Sequence, residues 1–437
     1  MSRGDATNPL LALARRAATM AAPEHDVRRA MVDWFACVIA GAPHPPASIM
    51  AGALAGERGA GRAVCYVDGQ QGGLRHAALL NAVAAHVVEF DDIHRDSGHH
   101  PGSVTIAAAL AAAQQHGADL ATLHRAITAG YEVACRIGMA VTPSHYRNWH
   151  TTGTVGTMGA AAAVAVVLGC GAEKIAHAIA LATTMTGGLQ QAFRGEGMSK
   201  PLHPGHAAEA GALAAMSAAA GMTGALDVLH GPVGFAAATS DSTGCWTTPD
   251  GPALISAITF KNHGCCGHIF PALDGLATLR AAHGFAAQDI TAIHIGGYGP
   301  TKEVCDRPDA RTEQECRFSI QYCVAALLVL GGVRLAAFAP GRLVDPAIRD
   351  IMPRVTVSLD PALAQAYPGQ RAANISVRLR DGTILSHHQP TRRGDPDMPL
   401  SDAELSAKFR ELTVPVLGAT AAEARLRSLW HSGALPD

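Results

Sequence analysis

The chain has 437 residues and a formal net charge of −2; 48% of its residues are apolar, 5% aromatic and 16% charged. That length suits two or three folding units, and the near-neutral charge supplies no field to draw the chain toward nucleic acid or an anionic membrane. No apolar run reaches the ~18 residues of a transmembrane helix, and the apolar fraction excludes a disordered chain.

Alanine and glycine supply much of the apolar share, a composition suited to helices that pack closely with small residues at their crossings. The opening "MSRGDATNPLLALARRAATMAAPEHD" has no basic segment leading into an apolar one, so export is not expected. Its Leu10, Leu11, Leu13 and Ala14 instead predict a first amphipathic helix. The ten cysteines are scattered without a CxxC pair, as in a reduced, cytoplasmic protein.

From there to about residue 265 the sequence reads as helix after helix. "DVRRAMVDWFACVIAGA", "RHAALLNAVAAHVVEF", "VTIAAALAAAQQHG", "LATLHRAITAGYEVACRIGMAV", "TVGTMGAAAAVAVVLG", "KIAHAIALATTMTGGLQQ" and "HAAEAGALAAMSAAAGMTG" all carry apolar residues at helical spacing, and most close on glycine or proline. Beyond Cys265 the pattern changes. "DITAIHIGGYG", "RVTVSLD" and "ANISVRLRDGTILSHHQP" predict strands, the last with a hairpin turn at "RDGT", interleaved with helical "DGLATLRAAHG" and "SIQYCVAALLVLGG". "SDAELSAKFRELTVPVLG" and "TAAEARLRSLWHSG" return to helix, with Ser401 as N-cap ahead of Glu404. The fold class expected is mainly α: a large all-helical domain over 1–265, completed by C-terminal helices 397–437, and a smaller α+β domain over 266–396.

Five segments carry chemistry. "HVVEFDDIHRDSGHHPGSV" (86–104) gathers carboxylates and histidines between two nearly uncharged stretches, and reads as a helix end, a polar loop and a new helix beginning near Gly102. Glu89, Asp91 and Asp92 can there hold imidazoles in one tautomer and raise their basicity; acids closing a helix and histidines solvating a loop account for the segment equally well. In "HYRNWHTTGTVGTMGAAAA" (145–163), His150 falls at a helix N-cap, beside the positive end of the helix dipole. Its glycines read as helix–helix contacts, because no strand precedes them. In "FRGEGMSKPLHPGHAAEAG" (193–211), Arg194, Lys200, His203 and His206 precede an alanine-rich helix and can clamp carboxylates or simply face solvent. "FKNHGCCGHIFPALDG" (260–275) places Lys261, His263 and His268 at the domain junction, and its vicinal cysteines lack the spacing of a zinc site. "RFSIQYCVAALL" (317–328) presents Tyr322 near a helix start, where packing is the simpler role.

Taken in order, "EFDDIHRDSGHHPGSV", "HTTGTVGTMGAAAA", "KPLHPGHAAEAGALAA", "FKNHGCCGHIFPALDG", "FSIQYCVAALL" and "RRGDPDMPLSDAELSAKF" resemble the MmgE/PrpD family over residues 30 to 430. The resemblance implies a helical domain plus a smaller α+β domain, a homodimer, and a pocket between domains that uses no metal or organic cofactor. It implies chemistry on short di- or tricarboxylates, by moving a proton next to a carboxylate. By motif, Asp91, Asp92, His100, His268 and Tyr322 would be catalytic, and His150 and Lys200 would bind substrate, with Lys261, His263 and His203 as neighbours. Relatives often read "LDFDDT"; here Glu89 replaces the first Asp and Ile93 the Thr, while Arg95, Asp96 and His99 add polar groups, Arg95 as a further substrate contact.

Abstracting a proton beside a carboxylate builds a second negative charge, which the site must offset with preorganised cations and donors. Lys200, protonated imidazoles and the helix end after His150 are the expected sources. His100 or His268 would be the base, held by Asp91 or Asp92, with Tyr322 or another histidine returning a proton. A dehydratase or decarboxylase is the expected reading. An epimerase of a dicarboxylate such as iminodisuccinate is the alternative, and a non-catalytic carboxylate-binding protein the alternative of another class. No dinucleotide fingerprint or zinc-hydrolase spacing is present.

Overall fold

The computed structural model describes residues 8–193, 197–241, 244, 246 and 250–437. It divides into two compact units: residues 8–260 with 401–437, and residues 261–400. As the sequence implies, the fold is mainly helical, the first unit large and helical and the second smaller and α+β.

The first unit begins with α1 (Pro9–Thr19), α2 (Glu24–Gly41) and α3 (Ala47–Ala53). The Asn8 side chain caps α1 by accepting the Leu10 and Leu11 N–H groups at 3.0 and 3.1 Å. Two pairs of short strands depart from the all-helical expectation. β1 (Ala63–Cys65) and β2 (Gln70–Gly72) pair antiparallel around a turn at Gly69, whose φ of 70° suits glycine. After α4 (Leu74–Val87), β3 (Ile93–His94) pairs with a later two-residue strand, so the polar loop is partly ordered by a backbone ladder. These strands are three residues or fewer, too short for alternation to reveal them.

The remaining helices are α5 (Pro101–His116), α6 (Leu120–Val141), α7 (Thr151–Val167), α8 (Ala172–Thr183), α9 (Leu202–Ala219) and short α10 (Phe235–Thr239), followed by β4 (Ile258–Thr259), the partner of β3. α7 packs against α5, α6, α8 and α9, and Thr151 through Ala165 are all buried. Its glycines serve those crossings. A Cβ at Gly159 would lie 2.7 Å from the Gly130 carbonyl oxygen of α6, and one at Gly211 of α9 would lie 2.5 Å from both Ala160 Cβ and Thr157 O.

The second unit opens with α11 (Phe270–His283), which packs on one face of a four-stranded sheet. β5 (Ile290–Gly297) is followed by α12 (Gly299–Glu303), α13 (Glu313–Arg317), α14 (Ile320–Leu330), α15 (Pro340–Leu343) and α16 (Pro346–Ile351). β6 (Val355–Leu359), α17 (Pro361–Ala366), β7 (Ala373–Leu379) and β8 (Ile384–Gln389) complete it. The strand order is β6-β5-β7-β8, with β5 and β6 parallel and the other pairs antiparallel. Ile293, Ile295, Ile375 and Val377 point into the core, and the predicted hairpin turn is present, with Gly382 at φ 89°.

α18 (Asp402–Leu417) and α19 (Ala419–His431) rejoin the first unit, α18 against α2. The predicted Ser401/Glu404 capping box starts α18. Lys408 of α18 is buried: its ammonium donates to Asp33 Oδ1 of α2 at 2.6 Å and to the Phe90 carbonyl at 2.7 Å, over the Phe90 ring. One C-terminal cation thus pins α2 and the polar loop together. Among the described residues, no helix is long and apolar enough to cross a membrane.

Removing one partner of a buried pair leaves an uncompensated charge. Lys408→Met should therefore lower the unfolding free energy by about 3–5 kcal/mol in urea titrations, and adding Asp33→Asn should recover part of the loss. A Lys408→Met protein as stable as wild type would show that this ion pair does not hold α18 in place.

Candidate active site

The polar loop between α4 and α5 brings its acids to different partners. Asp91, buried, is shared by two imidazoles: its Oδ2 lies 2.7 Å from His86 Nδ1 and 3.4 Å from His100 Nδ1. His86 ends α4 and His100 is the N-cap of α5, so a single carboxylate oxygen bridges the end of one helix and the start of the next. With the carboxylate accepting, His86 carries its proton on Nδ1, and its Nε2 is buried with no hydrogen-bond partner among the described residues.

Asp92 turns the other way. Its Oδ1 accepts the Gly102 N–H at 2.9 Å, and its Oδ2 lies 2.7 Å from the Tyr131 hydroxyl of α6. Burial, reinforced by nearby Asp33, raises its carboxyl to about 8. A Cβ at Gly102 would stand 2.8 Å from the Tyr131 hydroxyl and 2.9 Å from Asp92 Oδ1, which accounts for glycine in "HPG". The sequence reading offered Asp92, like Asp91, to hold the basic histidine; the contacts of Asp92 are with the start of α5 and with Tyr131, so it bears on His100 through the helix start. Glu89 was expected to hold an imidazole, yet its carboxylate pairs with the Lys200 ammonium, and both side chains are buried. Its backbone has φ 56°, an uncommon value for a residue with a side chain.

α7 begins directly after His150, whose N–H donates to the Gly188 carbonyl at 2.9 Å. Its Nδ1 lies 3.0 Å from Nδ1 of His203, in the first turn of α9. The His150 ring is 5.6 Å from that of His86, which is 4.9 Å from that of His100. Thr152 Oγ1 accepts the His100 N–H at 3.2 Å, tying the starts of α5 and α7 together. His86, Asp91, His100, His150, Lys200 and His203 therefore form one cluster inside the first unit. Burial, then the neighbouring His86 and Lys200, hold His150 well below the usual imidazole range, and the same causes bring His203 to about 4. The expectation that imidazoles here serve as standing cations is corrected accordingly: a buried charge is costly, so these two rings are neutral near pH 7. Arg95 lies beside Asp96 at the rim of the loop, and Arg194 lies outside the described residues.

Three predicted residues have separate settings in the second unit, and a fourth, Lys261, is buried at its start. His268 Nδ1 is 3.0 Å from the Tyr298 hydroxyl, and Tyr298 stacks on Tyr367 with ring centres 4.8 Å apart. Burial, with Arg371 and Arg392 nearby, lowers His268 to about 3. His263 Nε2 contacts Asp274 Oδ1 at 3.0 Å. Tyr322 is buried, and its hydroxyl donates to the Ala337 carbonyl at 2.6 Å.

Profiles of known families decide the chain's kinship. The MmgE/PrpD N-terminal domain matches residues 14–245 and the MmgE/PrpD C-terminal domain residues 263–432. The chain belongs to the MmgE/PrpD family. It is 28% identical to cis-aconitate decarboxylase of Homo sapiens over 77% of this chain and 72% of that protein. It is 27% identical to a cis-aconitate decarboxylase-like protein of Aspergillus oryzae, over 89% and 85% of the two chains. A 2-methylcitrate dehydratase of Cupriavidus necator is 34% identical over 110 residues, 24% of this chain and 23% of that protein.

Within this MmgE/PrpD chain, sequence reasoning counted His86 only as one end of the polar stretch, without a role in the site, and missed Tyr131. Tyr131 sits in an apolar helical run, where a lone polar residue looks like a satisfied core group. The signal for His86 was its place five residues before Asp91, at the end of a helix. His86, Asp91 and His100 offer ligand atoms within 4.8 Å of one another, a set able to hold a divalent ion.

The Asp92 environment makes a pH prediction. The folded carboxyl keeps its proton up to about 8, whereas an unfolded one loses it near the ordinary 3.8. The unfolding free energy contributed by this group therefore falls as pH rises through that window. Asp92→Asn, neutral at every pH, should flatten the fall in Tm between pH 5 and pH 8 seen by calorimetry; an unchanged slope would show that Asp92 is ionised when folded.

Proposed function

We propose that the chain is a cofactor-independent MmgE/PrpD-type lyase that moves a proton next to a carboxylate of a short di- or tricarboxylate. The observation that carries this reading is the Asp91 oxygen shared by His86 and His100. A carboxylate in that position stabilises an imidazolium once a proton has been taken, and orients the ring that takes it. Lys200 adds a buried ammonium, and the N-terminal ends of α5, α7 and α9 bear on the same cluster, an arrangement favourable to anionic substrates.

Decarboxylation of an unsaturated tricarboxylate such as cis-aconitate is the favoured reaction, because the relatives named for it align over most of the chain, whereas the dehydratase aligns over about a quarter. The bond from carbon to one carboxylate breaks, its electron pair passes into the neighbouring double bond and carboxylate, carbon dioxide leaves, and an imidazolium donates a proton to carbon. His100 is the proposed donor, with Asp91 stabilising its charged form. Lys200 is proposed to bind the remaining carboxylates, with His203, Arg95, Lys261, His263 and His268 as further candidates, and His150 to take part in the proton movement beside them. Asp92 acts indirectly, through the start of α5, and Tyr322 has no proposed contact with substrate.

Proton NMR in D2O over a panel of citrate, methylcitrate, cis-aconitate and iminodisuccinate tests the class. Deuterium entering a product carbon with release of carbon dioxide is expected. New olefinic signals without carbon dioxide would make the chain a dehydratase, and label without net conversion an epimerase. A thermal shift with no label would leave only a binding protein. On the active substrate, His100→Ala should lower kcat by roughly 10²-fold or more; wild-type turnover in that variant would overturn the assignment.

A further inference from the structure

We propose that His203 is a positioning residue: it fixes the proton of His150 on Nδ1 and so leaves His150 Nε2 as a lone pair for the chemistry. The two Nδ1 atoms are 3.0 Å apart, and a hydrogen bond between two neutral imidazoles holds one proton on that line. The proton belongs on His150. If His203 donated instead, the remaining N–H of His150 would be its Nε2–H, inside a buried cluster that already holds the Lys200 ammonium. With His150 donating, the leftover N–H falls on His203, which is the less buried of the two.

The pair sits in a cradle shaped around it. Gly188 has φ 115°, and a Cβ there would lie 3.0 Å from His203 Cγ and 3.1 Å from its Nδ1. A Cβ at Gly153 of α7 would lie 3.0 Å from His203 Cβ. The Gly188 carbonyl also accepts the His150 N–H, and Gln190 N–H donates to the Asn148 carbonyl at 3.0 Å, so residues 188–190 are fastened along 148–150. One glycine therefore makes room for the first ring and holds the backbone of the second. The groups facing His150 are His86, Lys200, His203 and His100; those facing His203 are His86, Lys200 and His206 as well as His150.

Only the kinetic arm of the test rests on the proposed function. Nitrogen-15 histidine labelling of the full-length, ligand-free chain near pH 7.5 reads the tautomers directly. Wild type should show His150 as a single Nδ1–H form. His203→Phe, which fills the cradle without a ring nitrogen, should convert it to a mixture or to the Nε2–H form. His203→Gln, whose side-chain oxygen can accept, should restore it. Turnover of the active substrate should follow: kcat down by roughly 10²-fold in His203→Phe, KM little changed, and partial recovery in His203→Gln. If His203→Phe does not fold, His203→Ala makes the same comparison. An unaltered His150 signal in either variant overturns the proposal. An altered signal with unaltered turnover upholds the positioning and removes His150 from the reaction.

Discussion

The arrangement depends on how closely α7 approaches its neighbours. With Gly159 against Gly130, and Gly211 of α9 against Thr157 and Ala160, backbone meets backbone where larger side chains would hold helices apart. The starts of α5, α7 and α9 then fall together, which is why His100, His150 and His203, distant in sequence, become neighbours. The alanine- and glycine-rich composition is thus a condition for the cluster rather than a background to it: a methyl group added at one of these crossings would move a catalytic candidate as well as loosen the core.

Inside that frame the acids divide the work by environment. Asp91 serves imidazoles, Glu89 serves an ammonium, and Asp92, adjacent in sequence to Asp91, serves a tyrosine and a helix start. The separation follows from burial: a carboxyl without a nearby cation is pushed toward its neutral form, and one beside an imidazole has a positive partner available when that ring takes a proton. Neutral His150 and His203 belong to the same logic, since several imidazoles packed with a lysine cannot all be charged at once.

Much of the fold was legible in the sequence, because it rests on local rules. The apolar period gave the long helices, Ser401 with Glu404 gave the start of α18, and "RDGT" gave the hairpin of β7 and β8. The short strands β1 to β4 carry too few residues for any period. Motifs drew attention to His100, His150, Lys200 and His203, but their partners were hidden. Tyr131 reaches Asp92 across 39 residues, and Glu89 reaches Lys200 across 111, distances over which one sequence carries no pairing signal. The setting of Tyr322 was hidden for another reason: a tyrosine at a helix start looks the same whether its hydroxyl faces a ligand or, as here, a core carbonyl.

Glu89 adopts a left-handed backbone, a conformation that costs a residue with a side chain on the order of 1 kcal/mol or more. Glycine would relieve that cost but would take away the carboxylate beside Lys200; alanine would keep the strain and lose the carboxylate too. Two opposed demands, one conformational and one ionic, therefore meet at a single codon, and an acidic side chain long enough to span the gap answers the second while tolerating the first.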